Sequence, residues 1–140
     1  MDIEFRQGNL STLEQDVVTR GFIAHSEEQH APQYSKERVS WLARDGRDDI
    51  VAVLTADILW DWIYIDELWV SSERRGEGLG TTLMLLVEEL ARNQVLQGIW
   101  LWTQSWQGER FYQTLGYSEF ARFQDFPRGY SRVGYRKSLN

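Results

Sequence analysis

Cysteine is absent from this 140-residue chain, which excludes disulfides, thiolate metal sites and a cysteine nucleophile. Only two histidines occur, His25 and His30; five positions apart, they do not share a helix face as a metal pair would, and they read as surface residues. No stretch approaches the roughly 18 consecutive apolar residues of a membrane span, and no basic-then-apolar leader opens the sequence, so the expectation is a cytoplasmic protein with no membrane partner. Positive charge is scarce: 15 Lys and Arg against 21 Asp and Glu leave a formal net charge of −6. That argues against a nucleic-acid partner, which needs clustered cations against phosphate, and it favours cationic ligands. A solvated acidic face also explains such a charge through solubility alone. Only two prolines occur, and no linker, repeat or low-complexity segment appears.

What is present is apolar and aromatic. Apolar residues make up 42% of the chain, with seven Trp, which places it among globular sequences, and its length predicts a single domain over residues 1–140 with one substantial core. Residues 2–6 read as a short first strand. Ser11 with Glu14 three positions later forms a capping-box signature for a helix to about residue 28, with a break allowed near Gly21. Strands are expected over 38–44 and 50–58 with a turn at 46–49, then a hairpin at Trp60-Asp61-Trp62. Both tryptophans of that hairpin point to one side if the segment is extended, and they read either as core or as aromatic walls of a cation-accepting groove, core being favoured. After a central helix, a buried strand covers 98–103 and a short helix 107–115, capped by Gly116 in left-handed conformation. Two last strands, 117–123 and 133–138, flank a turn at Pro127-Arg128-Gly129.

The rest of the chain is organised around residues 64–86. The β-branched and aromatic strand Ile63-Tyr64-Ile65-Asp66-Glu67-Leu68-Trp69-Val70 runs into the turn Ser71-Ser72-Glu73-Arg74-Arg75-Gly76-Glu77-Gly78-Leu79-Gly80, and a helix follows at once. Leu79, Leu83, Leu86 and Leu90 recur at three- and four-residue steps, which is the period of one helical face. Glycines at 76, 78 and 80 let backbone amides approach a ligand, and the first amides of a helix lack internal partners and carry positive partial charge, so an anion belongs there. Arg74 and Arg75 add fixed charge beside it. A P-loop is excluded because no Gly-Lys-Ser/Thr ending is present, and the spacing G-x-G-x-G is not the Rossmann G-x-G-x-x-G.

The series Val70, Arg75, Gly78, Gly80 resembles the acyl-CoA signature V-x-x-x-x-[QR]-x-x-G-x-[GA] of the GNAT superfamily of N-acyltransferases. Phe111-Tyr112-Gln113-Thr114-Leu115-Gly116-Tyr117 resembles that family's later F-Y-x-x-L-G-[FY] helix end. The resemblance implies an α/β fold: a mixed, mostly antiparallel central sheet of about six to seven strands, flanked by helices, with a splayed central strand and, between the first two strands, a helix, a loop and a second short helix. It also implies acetyl-CoA as cofactor and acetyl transfer to an amine. Contacts to the cofactor would then come from backbone groups of Leu68, Trp69 and Val70 and from the turn residues Arg75, Gly76, Glu77, Gly78, Leu79, Gly80 and Thr81. Tyr112 would lie by the cofactor sulfur as general acid.

The sequence departs from the family pattern at two places. Ser105 stands where many members carry an Asn that contacts the cofactor, and Gly108 stands in place of the usual Ala. The segment Phe126-Pro127-Arg128-Gly129-Tyr130 resembles a branch that places His where Tyr130 stands, so that branch's histidine chemistry is missing.

Strand alternation puts Tyr64, Asp66 and Leu68 on one face and Ile65, Glu67 and Trp69 on the other, so a single carboxylate is expected to face the acceptor, and the resemblance selects Asp66. Two roles stay open for it, base through a water or binder of the substrate ammonium, beside the plainer reading of a carboxylate paired with a nearby Arg. The acceptor reads as a small-molecule cationic amine, a protein lysine or N-terminal amine being the alternative. A non-catalytic acyl-CoA-binding sensor is the rival from another class. No metal is implied, and a homodimer is possible.

Overall fold

The computed structural model describes residues 1–139 and falls into two compact units, Met1–Tyr34 and a second from Ser35 onward. In the first unit, α1 (Thr12–Glu28) starts where the capping box places it. Ser11 Oγ accepts from the Glu14 amide at 3.2 Å, and Glu14 Oε1 accepts from the Ser11 amide at 2.7 Å. The Arg6 guanidinium also pairs with Glu14; its hydrogen bond, followed by that of the Ser11 amide, holds the Glu14 carboxyl down at about 2. The helix runs unbroken through Gly21, so a single helix stands where the resemblance implied two. The strand expected over residues 2–6 does not form: no sheet ladder includes those residues, and an extended segment without a ladder partner leaves its backbone to water.

The second unit is a six-stranded sheet in the order β1-β2-β3-β4-β6-β5. Its strands are β1 (Lys36–Arg44), β2 (Ile50–Leu59), β3 (Trp62–Val70), β4 (Gly98–Gln104), β5 (Ser118–Gln124) and β6 (Ser131–Ser138). All neighbours are antiparallel except β3 and β4, which are joined by the crossover helix α2 (Leu79–Asn93). A short helix, α3 (Glu109–Thr114), connects β4 to β5, and Gly116 follows it at φ 91°. The fold is therefore mixed α/β with a mostly antiparallel sheet.

Alternation along the strands sorts the sheet into two faces. The core face carries Leu54, Ala56, Ile63, Ile65, Ile99, Leu101, Val133 and Tyr135, and α2 covers it with Leu83, Met84, Val87 and Ala91. Removing a Leu or Met side chain of this kind from water contributes about 1.5–3 kcal/mol. The opposite, outer face carries Trp62, Tyr64, Trp100, Trp102 and Phe120, joined by ring contacts: Tyr64 to Trp100 at 4.4 Å, Trp102 to Phe120 at 5.4 Å. The hairpin tryptophans are thus outside the core. Trp62 lies under the Arg136 guanidinium, 4.6 Å from its ring centre, and Trp60 sits in the turn at φ 51°. They border a hollow of about 310 Å³ with Asp61, Trp100, Phe120 and Arg136. Core packing was the favoured expectation for this pair; outer-face parity at Trp62 and the turn conformation at Trp60 decide otherwise.

Two irregularities position the site. β3 pairs with β4 only from Trp62↔Gly98 to Ile65↔Leu101, although both strands continue, so they splay apart beyond Ile65. Within β3, Thr55 of β2 pairs with Glu67 while Ala56 pairs with Ile65, which leaves Asp66 as the extra residue of a β-bulge.

Candidate active site

The splay opens a cleft of about 1080 Å³ between β3 and β4. Its walls are β3 from Ile65 to Val70, the turn with Arg74, Arg75, Gly76 and Gly78, the start of α2, β4 from Leu101 to Thr103, the loop at Trp106 and α3 with Phe111 and Tyr112. Because β3 and β4 form no ladder past Ile65, the β3 edge from Asp66 to Val70 turns its backbone N–H and C=O groups toward the cleft.

At the core-face end, the turn is held open by its glycines. Gly76 and Gly78 adopt φ +82° and +81°, a left-handed region costly for side-chain-bearing residues. Gly80 is needed for close approach, since a Cβ there would meet the Phe111 ring at 3.3 Å. The first bond of α2 runs from the Thr82 amide to the Gly78 carbonyl at 2.9 Å, so the amides of residues 79–81 have no intrahelical acceptor and point out of the helix start. Arg75 adds a cation: its Nε reaches the Val70 carbonyl at 3.4 Å, and among the described residues no carboxylate lies within 4.0 Å of it. Arg74 is spent differently, on Glu77 at 2.9 Å. This cradle of amides, with one guanidinium that no carboxylate pairs, fits a pyrophosphate.

Tyr112 is brought into the same cleft by α3. Its ring stands 5.1 Å from Phe111 and 5.9 Å from Tyr135, and burial pushes its phenol up to about 12. Of the residues assigned from sequence, Asp66, Leu68, Trp69, Val70, Arg75, Gly76, Gly78, Leu79, Gly80, Thr81 and Tyr112 all line the cleft. Glu77 and Ser105 do not: Glu77 holds Arg74, and Ser105 Oγ accepts from the Ser131 amide at 3.0 Å while its own amide donates to the Ser131 carbonyl at 2.8 Å. Ser105 thereby fastens the loop after β4 to the start of β6.

The bulge overturns the expectation that Asp66 and Glu67 lie on opposite faces. Thr55 Oγ1 lies 2.8 Å from Asp66 Oδ1 and 2.9 Å from Glu67 Oε1, so both carboxylates share a side. Leu68 crosses to the core face, opposite Leu54. An extra residue shifts the two-residue period by one, and every side chain after it changes face. Arg38 of β1 grips Asp66 through both guanidinium nitrogens at 3.0 and 2.9 Å and also approaches Asp57 at 3.3 Å. Burial pushes the Asp66 carboxyl up, but the hydrogen bonds from Arg38 and Thr55 outweigh it and hold the group below its ordinary value. Glu67 keeps 69% of its side chain exposed and stands 3.9 Å from Arg38.

Sequence reasoning missed Trp102, Trp106, Thr103 and Arg38 as site residues. Alternation over 98–104 already placed Trp102 opposite Leu101 and Thr103; nothing local linked Arg38, 28 positions away, to Asp66.

The model of the acetyltransferase (GNAT) family matches residues 10–117. Over 84 residues the chain is 34% identical to the blasticidin-S acetyltransferase of Streptomyces morookaense, a match spanning 59% of this chain and 62% of that protein. Among solved structures, an acetyltransferase from Bacillus cereus ATCC 14579 superposes with a TM-score of 0.82 at 25% identity, covering 96% of this chain and 98% of that one. A protein from Bacillus anthracis str. Ames assigned as a streptothricin acetyltransferase, solved in complex with acetyl coenzyme A, shares the fold with a TM-score of 0.65 at 17% identity over 73% of this chain and 62% of that one.

Proposed function

Because the chain belongs to the GNAT acetyltransferase family, we propose that it transfers an acetyl group from acetyl-CoA to the primary amine of a small cationic molecule, by direct attack in a ternary complex. The observation that carries this reading is the splay, which joins an anion cradle on the core face to a carboxylate-bearing mouth on the outer face. The amides at the start of α2 and Arg75 would hold the pyrophosphate, and the exposed backbone edge of Leu68, Trp69 and Val70 would pair with the arm that follows it. When bound, acetyl-CoA supplies an activated acetyl thioester for the amine to attack. Tyr112 keeps its proton, since burial holds the phenol protonated far above neutral pH, and as general acid it would supply that proton to the thiolate leaving group. Asp66 positions rather than deprotonates. A carboxylate gripped twice by Arg38 and held below its ordinary pKa is a weak base for an ammonium.

The freer Glu67 draws the cationic acceptor into the mouth. We take the whole chain as one catalytic domain acting in the cytoplasm.

The test is CoA-thiol release from acetyl-CoA across polyamines, aminoglycosides, amino acids and lysine peptides. Release that depends on one amine and falls at least about 100-fold in Tyr112→Phe, with acetyl-CoA affinity held within about twofold, is the expected result. Turnover unchanged in that variant removes Tyr112 from the acid role. Release with lysine peptides alone moves the acceptor to protein. Silence across the panel with acetyl-CoA bound favours the sensor.

A further inference from the structure

The cleft runs through the sheet, and its two ends differ in chemistry. Leu68, Val70, Leu101, Phe111 and Tyr112 belong to the core side. Beyond the bulge the outer side is reached by Glu67 and Trp69, which alternate with the core-facing Leu68 and Val70. From the other wall come Trp102, opposite in parity to the buried Leu101 and Thr103, and Trp106 in the loop that follows.

These three tryptophans are not equivalent. The Trp102 ring is already engaged, with the Arg132 guanidinium 5.6 Å from its centre and Phe120 at 5.4 Å. Trp69 and Trp106 are 50% and 55% exposed, an unusual amount of water contact for large rings bordering a cleft. Trp106 meets the Tyr130 ring nearly perpendicular, at 5.0 Å and 82°, an edge-to-face contact that braces the indole at the mouth. The outer mouth therefore presents two half-exposed indole rings beside Glu67, a largely exposed carboxylate.

Resting on the acetyltransferase reading, we propose that the acceptor is an amine built on a flat conjugated ring, with Trp69 and Trp106 as the specificity-determining residues that stack it and Glu67 as the partner of its ammonium. An aliphatic polyamine would use the carboxylate but gain nothing from broad π-faces. A planar ring gains from both, because indole attracts flat rings by offset stacking and cations through its quadrupole.

The probes are benzylamine and cyclohexanemethylamine, which carry the same ammonium on rings of similar size and differ in planarity. Binding of each is measured by calorimetry in the native chain and in Trp69→Leu and Trp106→Leu, each protein held at a CoA concentration that saturates it. The expected result is that benzylamine binds at least about fivefold tighter than its saturated counterpart, and that the preference shrinks toward unity in both variants. Equal binding of the two amines, no measurable binding of either, or a preference that survives both substitutions overturns the proposal. Binding is read without turnover, so a flat-ring preference without acetyl transfer would sink the acetyltransferase reading and leave this one standing. Acetyl transfer without the preference would do the reverse.

Discussion

Tyr112 illustrates how one residue's environment sets what it can do. A phenol free in water ionises near 10; buried beside Phe111, Tyr117 and Tyr135, this one is pushed to about 12. The neutral form is the one a general acid needs, so the rate with a simple amine should climb with pH as the acceptor loses its proton and should not turn over before about pH 10. The pH profile of kcat/KM checks this, and a falling limb below about pH 9 would assign the acid to another group. The linkage has the matching sign: the folded state resists ionising this phenol, so folding becomes less favourable as pH rises from about 10 through about 12. Tyr112 and its place at a helix end were legible from local sequence, since the F-Y-x-x-L-G-Y run carries its own cap. The grip of Arg38 on Asp66 was not, because β2 lies between β1 and β3 in the sheet and the Arg38 side chain reaches Asp66 across it.

At the scale of elements, the turn between β3 and α2 is the part whose local chemistry dictates its shape. Gly78 is the N-cap of α2 at φ 81°, where a β-branched side chain is strained although nothing within 4 Å would obstruct a Cβ. Gly78→Val should therefore fold, lose about 1–2 kcal/mol or more of stability through backbone strain, and lose acetyl-CoA binding by calorimetry. Tight binding in a folded variant would move the pyrophosphate elsewhere. The neighbouring strand teaches the opposite lesson. Nothing in Ile65-Asp66-Glu67-Leu68 marks a bulge. Period-two alternation read straight through it and put Leu68 with Asp66, whereas the register against Thr55 and Ala56 puts both carboxylates on one side.

Across the second unit, one buried charge ties the sheet to both helices of the site. Glu88 of α2, only 1% exposed, meets Lys137 of β6 at 2.7 Å, and Lys137 also donates to the Leu115 carbonyl at the end of α3 at 2.8 Å. Arg92 stands 3.6 Å away as a second cation. The Tyr117 phenol nearby is raised well above its ordinary value by burial and by the Glu88 charge. Lys137→Met should cost about 3 kcal/mol, the low end for breaking a buried pair because Arg92 remains, and Glu88→Leu with Lys137→Met should recover most of it. Urea unfolding of the three proteins measures both; a neutral single variant would mean that Arg92 alone neutralises the carboxylate.

The sequence by itself determined the anion turn, the α2 stripe and the α3 cap, because glycine at positive φ, a three-to-four residue apolar period and a left-handed cap act within a few residues of themselves. It determined the order of elements in the second unit for the same reason. Only the tertiary structure decided where β3 leaves β4, which side Asp66 and Glu67 share, that Arg38 holds Asp66, and that Trp69 and Trp106 face the cleft. Each of those depends on register between strands distant in the chain, and a shift of one residue, which no local preference records, reverses which face a side chain serves.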